Sequence, residues 1–228
     1  EGVTIKLGKN FNNINVESNY VHVGASVLDK VLSKFCLEQS IQGFEFLTGI
    51  PGCIGGAVAM NAGCYGSEIK DIFLSAKCLD YQGNEIVIDH SEDLFSYRNN
   101  TKTKDLIILE IKFNKLSGDK NKIFNKMEEI NKNRILSQPQ KVRTAGSTFK
   151  NPTSQSSKKA WELIEISGSK TIERNNVTLS DKHANFIVNK QFESANDIET
   201  FGELIRKKVF DKTGVLLEWE IKILGAYE

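Results

Sequence analysis

The sequence is poor in the residues that mark most specialised classes of protein. Its 228 residues include only four cysteines, three prolines and three histidines. The cysteines (Cys36, Cys53, Cys64 and Cys78) form no C-x-x-C pair and have no histidine at metal-ligand spacing, so the sequence predicts neither a disulfide framework nor a metal site. We expect reduced cysteines packed as small apolar side chains, which is typical of a cytoplasmic protein.

An excess of one charge and long apolar runs are also missing. The chain has 30 basic and 29 acidic side chains, for a formal net charge of +1. No apolar run approaches the ~20 residues that a membrane-spanning helix needs. This balance argues against a nucleic-acid or membrane partner, so any charged substrate must be held by a few placed side chains.

Hydrophobic periodicity predicts an α+β protein in two parts, 1–117 and 118–228, which are divided at a Ser-Gly-Asp boundary. We expect helices that begin at Ser26 (with Asp29 in a capping box), Lys120, Ala160 and Ser194 (with Asp197), the last ending at Gly214. Strands are expected over 20–24, 73–81, 85–89, 106–116, 171–179, 184–189 and 215–224.

Glycine is concentrated in one stretch, TGIPGCIGGAVAMNAGCYG (residues 48–66), which holds six of the 17 glycines. The stretch lacks the Lys-Ser/Thr pair of a Walker A loop and the G-x-G-x-x-G pattern of a dinucleotide fold. Its glycines expose successive N–H groups that can bind a polar ligand edge, and the apolar residues between them suit a flat aromatic ring. A tight structural turn is the alternative, but the density of glycine favours a ligand.

Three polar residues are ambiguous when each is taken alone. Arg98, in YRNN, is either a surface charge or a guanidinium that holds a carboxylate. Ser147, in AGSTFKNP, has no His-Asp pair at a recognisable spacing, so a serine hydrolase is not predicted. Glu220, in EWEIKILG, lies on the charged face of an expected strand.

His183 opens HANFIVN and is more typical of a hydrogen-bonded structural residue than of a catalyst.

Taken in order, the Gly-rich stretch, YRNN, AGSTFKNP, SDKHANFIVN and EWEIKILG resemble the UDP-N-acetylenolpyruvoylglucosamine reductase family, over residues 2–225. The resemblance implies an FAD-binding domain of the vanillyl-alcohol-oxidase type (its C-terminal part, residues 1–117) followed by an α+β substrate-binding domain (118–228). It also implies the shorter subtype of the family and a chain truncated before residue 1, because the family's leading Gly-rich loop, which holds the FAD pyrophosphate, is not among these residues.

The resemblance implies roles for particular residues. The catalytic group comprises Arg98 and Glu220, which face the enolpyruvyl group, and Ser147, the proton donor. The cofactor contacts are Ile50, Gly52, Gly55, Gly56, Asn61 and Gly63. The substrate contacts are Tyr65, Arg134, Gln138, Lys150 and Asn151.

The implied reaction belongs to peptidoglycan synthesis. NADPH reduces FAD, and flavin N5 passes a hydride to the terminal carbon of UDP-N-acetylglucosamine enolpyruvate, which gives UDP-N-acetylmuramate. Two alternatives remain: an FAD oxidase of the same superfamily and a non-catalytic UDP-ligand-binding remnant. AGSTFKNP argues against the oxidase, and the presence of Arg98, Ser147 and Glu220 argues against the remnant.

Overall fold

The computed structural model describes residues 3–225 and divides them into two compact units, residues 3–134 and residues 135–225. The predicted boundary at residue 117 stays a prediction about domain organisation, whereas the packing of the chain divides it further on, at Arg134. No helix in the described part of the chain is long and apolar enough to cross a membrane.

The N-terminal unit contains most of the strands. Its helices are α1 (Asp29–Glu38), α2 (Ile54–Ala59) and α3 (Lys120–Ser137), which runs on past Arg134. Its strands are β1 (Ile14–Val16), β2 (Tyr20–Gly24), β3 (Ile41–Gln42), β4 (Gly63–Cys64), β5 (Ser67–Glu68), β6 (Phe73–Leu79), β7 (Glu85–Asp89), β8 (Phe95–Ser96), β9 (Asn99–Asn100), β10 (Ile107–Asn114) and β11 (Leu116–Ser117).

A five-stranded antiparallel sheet, in the order β1-β2-β10-β6-β7, forms the base of this unit. Val21 pairs with Phe113 and Val23 with Ile111, and all four side chains are buried on one face of the sheet. Alternate residues face outward, as period-two patterning requires. The long strands predicted near 73–81, 85–89 and 106–116 are therefore confirmed.

The N-cap of helix α1 lies two residues later than predicted. Its N-cap is Leu28, and Ser26 makes no capping bond, so the predicted capping box at Ser26 is wrong. The cause is long-range pairing: the N–H of Gly55 donates to the carbonyl of Ala25 (2.9 Å) and that of Ile54 to Val27 (2.9 Å). Since this backbone is bonded to the Gly-rich stretch, the helix starts only beyond it.

The C-terminal unit packs two helices against a small antiparallel sheet. Its elements are α4 (Ala160–Ile166), α5 (Ala195–Thr213), β12 (Glu173–Arg174), β13 (Val177–Leu179) and β14 (Ile187–Asn189). The N–H of Asp197 donates to Ser194 Oγ (3.1 Å), and Gly214 follows α5 with a left-handed φ of 73°. The predicted capping box and glycine stop are confirmed.

The closing segment is not the regular strand that was predicted over 215–224. It makes one antiparallel bridge, Phe149 to Trp219, flanked by two backbone hydrogen bonds. Pairing does not extend towards the N-terminus of the segment, because the N–H of Leu216 donates instead to Gln155 Oε1 (3.0 Å). The segment nevertheless lies against α5, since the Trp219 indole N–H donates to Glu203 Oε1 (2.8 Å).

Trp219 fits against α5 only because residue 202 is glycine. A Cβ at Gly202 would lie 2.0 Å from Trp219 Cη2. We expect Gly202→Ala to displace the indole and to lower the free energy of unfolding by about 2–3 kcal/mol, as for other overpacked cores. Thermal unfolding should show a Tm lower by roughly 4–12 °C. Gly8→Ala, where an added Cβ meets no atom within 4 Å, is the control; equal melting of the two variants would contradict the packing argument.

Candidate active site

The Gly-rich stretch combines close packing with an open surface. A Cβ on Gly55 would lie 2.9 Å from Ala25 Cβ, so this glycine is needed for contact with the neighbouring backbone. One residue on, a Cβ on Gly56 would meet nothing within 4 Å, and both Gly56 and Gly52 are exposed. Ile50 beside them is partly buried. Gly55 is therefore needed for packing, whereas ligand contact by the exposed Gly52 and Gly56 stays a prediction.

Asn61 connects this stretch to the segment that carries Arg98. Its side-chain amide donates to the carbonyl of Ser96 (3.2 Å), and its Oδ1 accepts from the N–H of Lys70 (3.0 Å). The residue is almost fully buried and has a left-handed φ of 41°. In the structure Asn61 thus connects the Gly-rich stretch to β8 and to the backbone that follows β5, and its contact with a cofactor stays a prediction.

Arg98 lies in the tight turn that joins β8 to β9. Its φ of 56° is left-handed, a conformation that costs a non-glycine residue roughly 1–2 kcal/mol. The turn directs the guanidinium back to the Gly-rich stretch, where Nη2 donates to the carbonyl of Gly63 (3.3 Å). The same group lies 5.2 Å from the centre of the Tyr97 ring. The structure therefore brings Arg98 to the predicted cofactor-binding segment.

Arg134 and Tyr65 belong to the same neighbourhood. Burial raises the pKa of the Cys64 thiol to about 11, while the positive charges of Arg134 and Arg98 act in the opposite direction on that group. Tyr65, the next residue, begins the two-residue turn between β4 and β5 and is 46% exposed. Two positive charges thus act on Cys64, and a positive field of this kind suits an anionic ligand.

Asp29 is a site residue that the sequence reading missed. Its side chain is 1% exposed, and Oδ1 has no hydrogen-bond partner among residues 3–225. Burial raises the pKa of this carboxyl from 3.8 to about 7. The N–H of Asp29 donates to the carbonyl of Gly52 (3.1 Å), which places the carboxyl directly beside the Gly-rich stretch. No sequence pattern marks it, because its burial depends on contacts that are distant in the chain.

In the C-terminal unit, the structure brings Ser147 and Glu220 together. The N–H of Glu220 donates to the carbonyl of Thr148 (2.9 Å), immediately next to Ser147. Ser147 is also paired with Phe186 in an antiparallel bridge, so its backbone is held from both sides. Arg206 anchors the Glu220 segment to α5, since its Nε donates to the carbonyl of Leu217 (2.8 Å).

The other predicted substrate residues of this unit have defined structural contacts. Lys150 Nζ lies 3.6 Å from Glu218 Oε2, in a partly exposed ion pair. Asn151 Oδ1 accepts from the N–H of Ala160 (3.0 Å), the first residue of α4, and so fixes the loop against that helix. Gln138 is half-buried just after α3.

His183 fits the structural reading given to it from the sequence. Its ring packs 4.8 Å from that of Phe186 and 6.4 Å from that of Trp161, and its Nδ1 accepts from the N–H of Asn185 (3.2 Å). Burial lowers the pKa of the imidazole below its ordinary value. His183 thus has a neutral ring held by backbone and aromatic contacts, as is typical of a structural residue.

The residues around the Gly-rich stretch fit a flavin. Its exposed glycines and Ile50 offer a surface for a flat ring, the Asp29 carboxyl approaches Gly52 through Oδ2, and Oδ1 of the same carboxyl has no hydrogen-bond partner among residues 3–225. A guanidinium lies on the same stretch, where it can stabilise negative charge that develops next to such a ring. The fold and this site define a flavin-dependent enzyme with an α+β architecture.

Comparisons with known proteins identify the family. Residues 138–224 match the family described as UDP-N-acetylenolpyruvoylglucosamine reductase, C-terminal domain, and residues 1–89 match the FAD binding domain. Enzymes named UDP-N-acetylenolpyruvoylglucosamine reductase from Rickettsia akari (strain Hartford) and Rickettsia typhi (strain ATCC VR-144 / Wilmington) are each 48% identical over 227 residues, which cover 100% of this chain and 76% of theirs.

A solved structure agrees with these sequence matches. The crystal structure of UDP-N-acetylenolpyruvylglucosamine reductase from Thermus caldophilus superposes with a TM-score of 0.81 at 30% identity, and covers 96% of this chain and 79% of that one. The chain belongs to the UDP-N-acetylenolpyruvoylglucosamine reductase family. The predicted α+β fold class, the FAD-binding domain and the assignment to an FAD-dependent oxidoreductase are confirmed.

Proposed function

We propose that the chain catalyses the NADPH-dependent reduction of UDP-N-acetylglucosamine enolpyruvate to UDP-N-acetylmuramate, a step of peptidoglycan synthesis in the cytoplasm. The FAD-binding part takes residues 1–117 and the substrate-binding part residues 118–228. The observation that carries the proposal is the hydrogen bond from Glu220 N–H to the carbonyl of Thr148 (2.9 Å). This bond holds the backbone of Glu220 next to Thr148, the residue that follows Ser147. It supports the role of proton donor that the family resemblance implies for the Ser147 hydroxyl.

The flavin, when bound, supplies the hydride that NADPH has delivered to it. Arg98 stabilises the negative charge that this hydride transfer creates on the substrate. Hydride addition at the terminal carbon of the enol ether leaves negative charge on the α-carbon and its carboxylate. A guanidinium held in place by the turn and by the Gly63 carbonyl stabilises that charge without reorganisation.

Ser147 and Glu220 act in the transfer of a proton to the α-carbon. The Ser147 hydroxyl donates to the α-carbon, and the backbone bonds on both sides of the residue fix its position. The neighbouring Glu220 carboxyl faces the same enolpyruvyl group and shares the stabilisation of its carboxylate. A neutral serine is a weak acid, so the proton transfer from Ser147 also depends on the polar groups around it.

The uridine diphosphate part of the substrate requires cationic and amide groups. We assign this role to Arg134, Gln138, Lys150, Asn151 and Tyr65. Arg134 already contributes positive charge near Cys64, and Asn151 is fixed by its bond to α4. Diphosphate binding by a few placed cations agrees with the near-neutral net charge of the chain.

Anaerobic flavin spectroscopy tests the proposal. The protein saturated with FAD is mixed with NADPH and then with UDP-N-acetylglucosamine enolpyruvate. We expect NADPH to bleach the visible flavin band, the enolpyruvyl sugar to restore it, and UDP-N-acetylmuramate to accumulate, as detected by mass spectrometry. Reduction by sugars or alcohols but not by NADPH would instead support an oxidase. Binding of UDP-sugar with no flavin binding, measured by calorimetry, would support a non-catalytic remnant.

A further inference from the structure

Asp29 provides a buried acceptor that no group among residues 3–225 uses. It is the first residue of α1, it is 1% exposed, and its Oδ1 has no hydrogen-bond partner in the described part of the chain. Its other oxygen, Oδ2, faces the Gly-rich stretch, since it lies 3.1 Å from the position that a Cβ on Gly52 would take. The carboxyl is therefore buried next to Gly52, in the stretch along which a flavin is proposed to bind.

The stability of the protein does not explain this carboxyl. An unpaired buried carboxylate is costly, and leucine or asparagine would fit a helix start at lower cost. Buried polar side chains nearby do have partners: Ser33 Oγ donates to Met127 Sδ (3.7 Å), and Glu45 Oε2 accepts from the N–H of Gly43 (3.0 Å). In the described part of the chain, Asp29 Oδ1 lacks such a partner, as do Asn13 Oδ1 and Ser91 Oγ. Because the backbone N–H of Asp29 bonds to Gly52, an unpaired oxygen at this position points to a ligand.

We propose that Asp29 Oδ1 accepts a hydrogen bond from bound FAD, either from the N3–H of the isoalloxazine or from a ribityl hydroxyl. This inference rests on the proposal that the Gly-rich stretch lines the flavin. Asp29 acts as a binding residue for the cofactor, and its buried Oδ1 receives a hydrogen bond only when FAD is bound. The flavin and the carboxylate thus complete each other's hydrogen bonding in a dry site.

Titration of flavin-free protein with FAD, followed by flavin fluorescence, tests this role without an activity readout. Asp29→Leu removes the acceptor and should weaken FAD binding by roughly tenfold to a hundredfold, the range for a hydrogen bond to a charged group. Asp29→Asn keeps a neutral acceptor and should lose less. Asp105→Asn, an exposed acid in the same unit, should bind as wild type does. Unchanged affinity in both Asp29 variants would overturn the inference while FAD binding by the wild type stands.

Thermal unfolding of the flavin-free variants separates binding from folding. The pKa of Asp29 is raised from 3.8 to about 7, so the flavin-free protein loses stability as pH rises from about 4 to about 7. At pH 8 both variants should therefore melt several degrees above wild type. Variants that are more stable but bind FAD more weakly support the proposal. Higher Tm with full affinity means that the carboxyl has no role in binding.

The pH dependence of FAD affinity gives a second readout on the wild type. A donor from the flavin favours the ionised carboxyl, so FAD should bind roughly threefold to tenfold more tightly at pH 8 than at pH 6. Around α1, Glu45 is paired with Lys126 (3.9 Å), and burial raises the pKa of the Cys36 thiol far above this window. Cys53, opposite Leu28, is the remaining thiol of the adjoining turn. The pH effect must disappear in Asp29→Asn; if it persists there, other groups cause it.

Methylation of the flavin distinguishes the two donors. If N3-methyl FAD binds wild type as weakly as FAD binds Asp29→Leu, the donor is N3–H. If N3-methyl FAD binds with full affinity to wild type and the loss in Asp29→Leu remains, the donor is a ribityl hydroxyl. Either result requires the carboxyl; equal affinities of wild type and Asp29→Leu for both flavins would refute it.

Discussion

Ser147→Ala should slow the reoxidation of reduced flavin by the enolpyruvyl substrate by roughly 10²–10⁴-fold, the usual contribution of a positioned proton donor. Reduction of the flavin by NADPH should keep its normal rate, because no proton passes to an α-carbon in that half-reaction. Stopped-flow absorbance of the flavin measures the two half-reactions separately. The backbone of residue 147 is held by its bridge to Phe186, so loss of the hydroxyl leaves the loop in place.

Two further variants decide whether the hydroxyl itself is responsible. Ser147→Cys supplies another proton donor at the same position and should recover part of the lost rate. Ser154→Ala, an exposed serine in the following loop, should leave both half-reactions unchanged. Equal slowing of both half-reactions in Ser147→Ala would show a general disturbance of the site, and unchanged substrate reduction would remove Ser147 from the proton transfer.

Local signals explain why parts of the fold were predictable from sequence. The Ser194–Asp197 box and Gly214 set the ends of α5 through bonds between near neighbours in the chain. The long strands were visible because one face is buried. Ser26 has the same local appearance as Ser194, but its segment pairs with residues 52–55, and that long-range pairing overrides the cap. The prediction of a strand over 215–224 is wrong for a similar reason, because the side chain of Gln155 accepts a hydrogen bond from the N–H of Leu216.

In the candidate site, too, local sequence patterns were predictive and long-range contacts were not. Ser147, Glu220 and Arg98 stand in motifs whose order resembles a family, so a sequence reading finds them. The contacts that position them are not visible in the motifs. Asn61 stands in the Gly-rich stretch, but its bonds to Ser96 and Lys70 do not follow from that pattern. Arg206, which anchors the Glu220 segment, stands in none of the motifs. Asp29 looks like an ordinary helix-start acid, and only its burial distinguishes it. Burial and distant contacts are properties of the folded chain, which periodicity does not encode.

The turn geometry at Arg98 permits a test that separates its structural cost from its catalytic use. Arg98→Lys keeps the positive charge but loses the planar fork that holds a carboxylate at two points. We expect flavin reoxidation by the enolpyruvyl substrate to fall by roughly 10²–10³-fold, as when a preorganised charge-stabilising donor is lost. Arg174→Lys, an exposed arginine on β12, is the matched control and should react as wild type does.

Arg98→Gly completes the test, because residue 98 has a left-handed φ of 56° that glycine adopts without strain. Stability should stay equal or rise by up to about 1 kcal/mol, as measured by urea unfolding of the flavin-free protein. Substrate reduction should nevertheless fall at least as far as in Arg98→Lys. A stable Arg98→Gly protein that reduces the enolpyruvyl sugar at the normal rate would show that the turn serves folding alone. A lysine variant with full activity would show that charge without the fork is sufficient.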